Sequence, residues 1–435
     1  MAQGKYSATN FQAWFDNEKA LEKFDGDELV VGVDVAKIAF YAAITQNGSD
    51  DYDVVYFERD DIREVVEAFA ELEFDQVTLV IEPTGTYSDP LVEQARIAGL
   101  EVVRINGDRV ADARKVFDGT NSLHDAKAAF LLAHLYDCRV GSRWEETSES
   151  TRRLRALSDI DELVDQTEDR FRNALEGVLA RHWPELPDHL GLTTATLLEL
   201  LAEFGGPEQV GANPQRARAL MKKVSGNSLS DAKLEKIIES ARSSQGKMPT
   251  SAEREKIRYI AGMLRQSQKR SGELERQIKK VAETHEHTRQ LVEFAGARTA
   301  VVLVGSLGPL TEYPSTEQLE KSKGMNLCEH SSGCTAKDRR GGSKGLHISK
   351  RGPGRVRKML YWLAMRLINP TAEAHCPYAT AWYRERRRRN GDHFSKAIVA
   401  LMRKLVRALW WVARGKKYDG TKLFDVPRLK KLGHL

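Results

Sequence analysis

A chain of 435 residues with 41% hydrophobic residues is long enough for two or three domains and can bury substantial cores. It contains no run approaching the ~18 apolar residues that a membrane span needs, and its first residues are too polar for a secretory signal. Four cysteines in so long a chain argue against a disulfide scaffold, so we expect a cytoplasmic protein with no membrane partner.

The net charge of +5 is distributed very unevenly along the chain. Residues 337–435 contain 26 Lys and Arg but only 6 Asp and Glu, whereas residues 1–336 contain 41 basic and 56 acidic side chains. Cations concentrated in this way repel one another unless a polyanion neutralises them. The pattern therefore predicts a nucleic-acid partner for the C-terminal quarter, with an ordinary solvated charged face as the alternative.

The first third of the chain has the pattern of an α/β domain. After a lead-in (1–28), β-forming stretches and amphipathic helices follow in the order strand, strand, strand, helix, strand, helix, strand, helix, at 29–33, 38–45, 54–57, 61–72, 77–81, 89–98, 101–105 and 124–135. Three antiparallel strands followed by β-α-β-α are typical of the RNase H-like fold, with helices on both faces of the sheet. We assign this domain to 29–145.

The rest of the chain is predicted to be helical. Apolar residues recur at seven-residue intervals from Leu157 to Val178, and a second long helix is predicted over 252–282. These two helices predict an antiparallel coiled-coil arm over 149–285, with a small helical insertion at about 190–246. Residues 286–435 form a mainly α-helical third domain. Its glycine-linked helices over 291–321 fit either a DNA-binding helix-hairpin-helix or an ordinary turn in a helical core.

Three acids fall where the predicted sheet would bring them together. Asp34 lies on the first strand, Glu82 ends the fourth, and Asp125 opens the helix after the fifth. Phosphodiester chemistry requires divalent metal held by hard oxygen ligands. Taken singly, each acid is more easily explained as a surface carboxylate or a helix cap. On this strand order, the three together predict a metal site.

Two segments could contact phosphate. The turn after Glu82 contains Thr84, Gly85, Thr86 and Tyr87, whose side chains can hydrogen-bond phosphate oxygens, although a plain strand-to-helix turn would look the same. A glycine-rich loop further on contains the adjacent serines Ser331 and Ser332, and it is followed by the cations Arg339, Arg340, Lys350, Arg351, Arg355, Arg357 and Lys358. The spacing of Cys328, His330, Cys334 and His347 matches no known zinc pattern.

Several of these motifs resemble one known family. The stretches GVDVAK (32–37), IEPTGTY (81–87) and HDA (124–126) resemble the N-terminal domain of the insertion sequence 110 family, the DEDD transposases with a RuvC-like domain. The stretches 324–333, ISK (348–350) and RVRKMLY (355–361) look like the second, serine-containing domain of that family. The resemblance covers about 29–180 and 255–415.

The resemblance implies a site-specific DNA recombinase. Asp34, Glu82 and Asp125 would hold Mg²⁺ (or Mn²⁺), and Ser332 would form a covalent phosphoserine link to DNA, which conserves the bond energy for rejoining. The family further implies a structured guide RNA that pairs with donor and target DNA. It also implies a homo-oligomer, a dimer or tetramer, in which domains of different subunits meet. Such proteins work in the bacterial or archaeal cytoplasm, in association with the nucleoid.

One residue departs from the family pattern. The remaining Asp of the family's DEDD set falls on Ser122, and a hydroxyl is a poorer Mg²⁺ ligand than a carboxylate. Asp118 or His124 could replace it; otherwise the site holds one ion or is impaired. Ser332 is preferred over Ser331 only through the family match.

We therefore predict a transposase that cuts and rejoins DNA. Three alternatives remain open on the sequence. They are a DNA invertase of the same design, a metal-dependent junction nuclease without a covalent intermediate, and a catalytically inactive nucleic-acid-binding protein.

Overall fold

The computed structural model describes most of the chain, namely residues 7–24, 26–46, 48–49, 51–83, 85–117, 124–328, 347–390 and 392–433. The chain divides into two compact units, Met1–Glu146 and Thr147–Leu435. The first unit is built on a mixed sheet, and the second is largely helical. The predicted division of the chain into an α/β part and a helical part therefore holds at this level.

The elements of the first unit alternate between strands and helices. In chain order they are β1 (Ala8–Asn10), α1 (Phe11–Phe15), α2 (Glu18–Leu21), β2 (Glu28–Val35), β3 (Ala39–Gln46), β4 (Tyr52–Glu58), α3 (Ile62–Glu71), β5 (Gln76–Ile81), α4 (Asp89–Ile97), β6 (Glu101–Arg104), α5 (Gly107–Phe117), α6 (Asp125–Asp137) and β7 (Ser142–Arg143). A short 3₁₀ turn, Arg59–Asp61, precedes α3.

Seven strands within the described residues form one sheet, in the order β1-β4-β3-β2-β5-β6-β7. Strands β2, β3 and β4 are antiparallel neighbours, and β5 and β6 continue parallel to β2. The structure thus confirms the prediction that the first and fourth predicted strands, here β2 and β5, lie side by side. Residues 8–24, which we expected only to lead into the domain, instead contribute β1, which pairs with β4.

The two faces of the sheet are covered by different helices. Val31 and Val33 of β2 face a core shared with α1, α3 and α4. Val30 faces the opposite side, where α5 and α6 pack. Gly32 also faces α6, because a Cβ at this position would lie 2.2 Å from the carbonyl oxygen of Ala129. Glycine therefore allows α6 to lie directly on β2, which fixes where this helix begins relative to the strand ends.

The second unit consists of helices and one two-stranded ribbon. Its elements are α7 (Glu149–His182), α8 (Leu186–His189), α9 (Ala195–Phe204), α10 (Pro207–Ala212), α11 (Pro214–Val224), α12 (Asp231–Arg242), α13 (Ser251–Thr284), α14 (Arg289–Ala295), α15 (Ala297–Leu307), α16 (Thr316–Ser322), β8 (Leu327–Cys328), β9 (His347–Ile348), α17 (Gly354–Ile368), α18 (Pro377–Asn390), α19 (Phe394–Val412), α20 (Gly420–Leu423) and α21 (Val426–Lys431). A 3₁₀ turn, Leu310–Glu312, follows α15.

The long helices α7 and α13 pack antiparallel to each other. At one end the His182 ring of α7 lies 3.7 Å from the Glu253 carboxylate of α13. At the other end Leu157 shares a core with Leu274. Two separate cores therefore cover the ends of the pair. The insertion helices α8–α12 form one of them, and α14–α19 form the other.

The middle of this helix pair differs from a regular heptad seam. Leu157 is buried as the seven-residue pattern predicts, but Ile160 is 37% exposed and Leu163 is 63% exposed. Ser158 and Asp161 are buried there instead. The reason is that this part of α7 faces the charged side chains of α15 and α17 and not only α13. No helix in the described part of the chain is long and apolar enough to span a membrane.

Candidate functional site

Two of the predicted acids leave neighbouring strands at the same end of the sheet. Val33 of β2 is the register partner of Ile81 of β5, so the next residues, Asp34 and Glu82, emerge side by side. Asp34 lies on the same face as Gly32, and Glu82 lies on the same face as Val80, whose side chain packs on the α6 side. Both carboxylates are therefore directed to one face of the sheet, and both are partly buried.

The third acid is positioned by the start of α6. His124 is the N-cap of this helix, and its ring accepts a hydrogen bond from the Lys127 amide at 3.3 Å. Asp125 is then the first helical residue and is exposed. Since α6 lies directly against β2, Asp125 comes to the same side of the sheet as Asp34. An acid in the first turn is also stabilised by the helix dipole.

The electrostatics show that these acids affect one another. The pKa of Asp34 is raised from 3.8 to about 6, first because the carboxyl is partly buried and then because the charges of Asp125 and Glu82 repel its own. Burial also raises the pKa of Glu82. The positive charge of the Arg114 guanidinium on α5 only partly offsets the rise in pKa of both groups. A divalent cation would relieve this repulsion, and carboxylate oxygens are the donors that Mg²⁺ prefers.

The side chains do not, however, converge on one point. Within the described residues, no three His, Cys, Asp or Glu side chains form a group that could hold a metal ion. The backbone places Asp34, Glu82 and Asp125 on a common face, and binding a shared ion requires their side chains to rotate toward one another. The donor set therefore fits a hard divalent cation in its chemistry, because all three groups are carboxylates.

Sequence reasoning missed two residues next to these acids. Arg114 lies on a helix, α5, where we had expected a loop, and its Nε atom is buried without a hydrogen-bond partner among the described residues. Gly107 begins the same helix, and a Cβ there would lie only 2.3 Å from Oε1 of Glu82. The signal that could have found this helix is the recurrence of Val110, Ala113 and Phe117 at helical spacing.

The predicted phosphate-contacting turn lies beyond β5. Gly85 has a φ of +59°, which favours glycine and reverses the chain before α4. Thr86 is exposed, and the Tyr87 side chain is 50% exposed. Both are thus accessible to a partner. Thr84 lies outside the described residues.

The serine-bearing loop is described only at its base. Its ends form the ribbon β8–β9, in which Cys328 is the register partner of His347. Just before and after this ribbon, two chain segments cross closely: a Cβ at Gly324 would lie 2.4 Å from the Arg351 carbonyl oxygen, and one at Gly352 would lie 2.5 Å from that of Ser322. The crossing fixes where the loop begins and ends. The predicted residues Ser122, Ser331, Ser332, Arg339 and Arg340 lie outside the described residues.

The cations after the loop do not all have the predicted role. Arg355 was expected to bind phosphate, but it is only 9% exposed and is paired with Asp161. Its partner already neutralises it, so it is not available to a nucleic acid. Arg357 donates hydrogen bonds to the carbonyl oxygens of Gly352, at 2.8 Å, and Lys323, at 3.1 Å. These bonds stabilise the close crossing of the two chain segments at the base of the loop.

The remaining cations of this set are more accessible. Lys358 is half-exposed and lies 3.4 Å from Asp165. Lys350, which has a φ of +57°, and Arg351 are both exposed. Lys350, Arg351 and Lys358 therefore remain candidates for phosphate contacts.

Two family models of known proteins match the two regions described above, the one with the three acids and the one with the base of the serine-bearing loop. Residues 31–184 match a family described as "Transposase", the DEDD transposases of IS110 type, and residues 294–378 match "Transposase IS116/IS110/IS902 family". The chain belongs to the IS110 family of transposases. It is also similar to the "Insertion element IS110 uncharacterized 43.6 kDa protein" of Streptomyces coelicolor, with 23% identity over 80% of this chain and 83% of that protein.

Membership of this family makes the protein a DNA transposase. The acids Asp34, Glu82 and Asp125 all lie inside the first matched segment. The loop base and Arg355 lie inside the second. The insertion helices α8–α12 and the helices after residue 378 lie outside both matched segments of the transposase.

Proposed function

We propose that this transposase cuts and rejoins DNA with two sets of residues. Asp34, Glu82 and Asp125 hold Mg²⁺ (or Mn²⁺) against the phosphodiester, and Ser332 forms a covalent phosphoserine intermediate. The observation that carries the proposal is the placement of these three acidic residues on one face of the sheet, where β2 and β5 end and α6 begins. A bound metal ion would stabilise the negative charge that develops on the phosphate.

The strand order supports an RNase H-like (RuvC-like) first domain. Three antiparallel strands followed by two parallel ones, in the order β4-β3-β2-β5-β6, put the central Asp34 next to Glu82. We retain the proposed division into this domain (29–145), a coiled-coil arm with its insertion (149–285), and a serine transposase domain (286–435). Ser122 leaves the fourth position of the acidic set to a hydroxyl.

The proposed strand exchange needs no external energy source, because the phosphoserine link conserves the energy of the broken P–O bond. The Ser332 hydroxyl oxygen attacks phosphorus, a P–O bond to the deoxyribose breaks, and the departing DNA hydroxyl receives a proton. Attack by another DNA hydroxyl on the phosphoserine reverses these events and reseals a strand. Lys350, Arg351 and Lys358 are accessible to phosphates during this exchange.

We further propose that an RNA from the same element guides a homo-oligomer of this transposase to donor and target DNA. The guide RNA enters this proposal only through the resemblance to the IS110 family, because the positive charge after residue 337 supports a nucleic-acid partner without distinguishing RNA from DNA. The DNA flanking the gene provides a direct check. A flanking non-coding segment able to form two internal loops supports guidance, whereas its absence favours an invertase.

Trapping on DNA tests the chemistry. The purified protein is incubated with a nicked, labelled duplex built from the element's joined ends, in Mg²⁺ or EDTA, and resolved on denaturing gels. We expect a protein–DNA adduct that requires Mg²⁺, disappears in Ser332→Ala and Asp34→Asn, and persists in the matched control Ser331→Ala. Metal-dependent cleavage that survives Ser332→Ala would indicate a nuclease, and no reaction in any metal would indicate an inactive binding protein.

A further inference from the structure

The last helices of the transposase enclose a basic groove that lies outside both matched family segments. It has a volume of about 430 Å³, within the ~300–1,000 Å³ typical of ligand sites. Its walls are one face of α19, the turn after that helix, and α20. We call it the α19–α20 groove, lined by Lys404, Arg407, Trp411, Lys416, Lys417 and Lys422 among others.

An exposed tryptophan lies in this groove. The Trp411 side chain is 52% exposed, which is unusual for so large an apolar group. Its ring stands at 90° to that of Trp410, with centroids 4.9 Å apart. Trp410 is itself fixed, because its Nε1 donates to the Tyr313 carbonyl at 2.8 Å and the Arg414 guanidinium lies 3.5 Å from its ring centre. Trp411 therefore packs edge-on against a fixed ring and leaves about half of its own side chain open to the groove.

The positive charge of the groove is only weakly neutralised. Lys416 is exposed and has no ion pair with any described residue. Lys422 is 86% exposed and lies 4.0 Å from Asp419, whose carboxylate is occupied in capping α20. Lys417 pairs at 3.2 Å with Glu293 on the rim, where both side chains are exposed and solvent screens the attraction.

A neighbouring lysine also reflects this excess of positive charge. The Nζ atom of Lys404 donates to the Leu423 carbonyl at 3.2 Å and so holds α20 against α19. Burial lowers the pKa of Lys404, and the like charges of Arg407 and Arg386 lower it further. Anionic groups bound in the groove would relieve this repulsion.

We propose that the α19–α20 groove binds single-stranded nucleic acid, with an unpaired base stacked on Trp411 and phosphates held by Lys416 and Lys422. An exposed aromatic face among cations is the arrangement that single-strand-binding sites use, because stacking needs a base outside a duplex. An acidic peptide would satisfy the cations but would leave the ring without a stacking partner. The strand is either RNA or a displaced strand of the DNA substrate.

Binding of the full-length protein to fluorescein-labelled U₁₂ and dT₁₂, and to a duplex of the same length, tests this inference. We expect Trp411→Ala to weaken single-strand binding by about tenfold while changing duplex binding little. The logarithm of the single-strand binding constant falls linearly with the logarithm of salt concentration, and the double change Lys416→Ala/Lys422→Ala should make this slope shallower by about 1.4. The matched control Lys430→Ala/Lys431→Ala removes two exposed charges from α21, outside the groove. This control should still bind single strands in preference to the duplex.

The outcomes distinguish this inference from the proposed function on which it rests. A loss of single-strand binding in Trp411→Ala supports the groove, and whether the lost binding is to U₁₂, to dT₁₂ or to both identifies the strand as RNA, as DNA or as either. Groove variants that bind single strands like the unaltered protein overturn the inference, as does a Trp411→Ala loss that is equal for single strand and duplex. In either case the Ser332-dependent adduct remains a separate measurement, and circular dichroism confirms that each variant is folded.

Discussion

The guanidinium of Arg355 on α17 is buried against the carboxylate of Asp161 on α7, although 194 residues separate them in the chain. Arg298 of α15 donates to the same carboxylate at 2.7 Å and reaches Asp165 as well. This cluster joins α7, which lies in the first matched family segment, to two helices of the second. The cations of this cluster therefore join three helices of the second unit.

Removing Arg355 should therefore destabilise the second unit. We expect Arg355→Ala to lower its unfolding free energy by about 2–3 kcal/mol, below the ~3–5 kcal/mol of an uncompensated buried charge, because Asp161 loses its buried partner but keeps Arg298. Thermal melts followed by circular dichroism measure the change. The control Lys358→Ala breaks an exposed pair and should cost no more than about 1 kcal/mol. An Arg355→Ala protein of normal stability that binds DNA weakly would instead favour the phosphate-binding role.

Asp34→Asn should stabilise the protein in the absence of metal. The folded-state pKa of about 6, against 3.8, means that ionised Asp34 opposes folding. The stability of the unaltered protein in EDTA should thus fall as pH rises from about 4 to 6, and the advantage of the variant should be complete above that range. Saturating Mg²⁺ should reverse the order of the melting temperatures. A variant that melts below the unaltered protein in EDTA at pH 8 would contradict this account.

Gly107→Ala should disturb the acidic site without disturbing the fold. The added methyl group would displace the Glu82 carboxylate, which lies at the end of a flexible side chain. We expect weaker Mg²⁺-dependent stabilisation and less adduct, with a melting temperature in EDTA close to normal. Gly262→Ala on α13, where a Cβ meets nothing within 4 Å, is the matched control. Normal Mg²⁺ dependence in Gly107→Ala would show that the position of Glu82 is unimportant.

Gly324→Ala should damage the base of the serine-bearing loop. Its φ of +63° disfavours a side chain, and the new Cβ would meet the Arg351 backbone at 2.4 Å. Gly226 has a similar φ of +58° but open space around it, so Gly226→Ala measures the backbone strain alone. We expect only Gly324→Ala to abolish the adduct. Equal effects of the two changes on melting and adduct formation would show that the close crossing is not required.

The sequence was informative where a local pattern determines the structure. Alternating and continuous β-forming stretches predicted the neighbouring strands β2 and β5, and with them the side-by-side exit of Asp34 and Glu82. It was less informative where partners are distant. The chain shows that Arg355 is charged but not that Asp161 lies beside it. Helix α5, with Gly107 and Arg114, was missed although Val110, Ala113 and Phe117 recur at helical spacing.

The separate cores at the two ends of α7 and α13 bear on how related transposases can diverge. Beyond the cluster of Asp161 and Asp165, no residue of α7 from Gln166 to Ala174 is buried, so little packing in that part of the pair depends on an exact number of residues. Seven residues, close to two turns, could be gained or lost in both helices with the same faces still in contact, and such a change would move the insertion by ~10 Å along the helix axis. The reach of α8–α12 is therefore open to evolutionary change while the segment 294–378 stays the same.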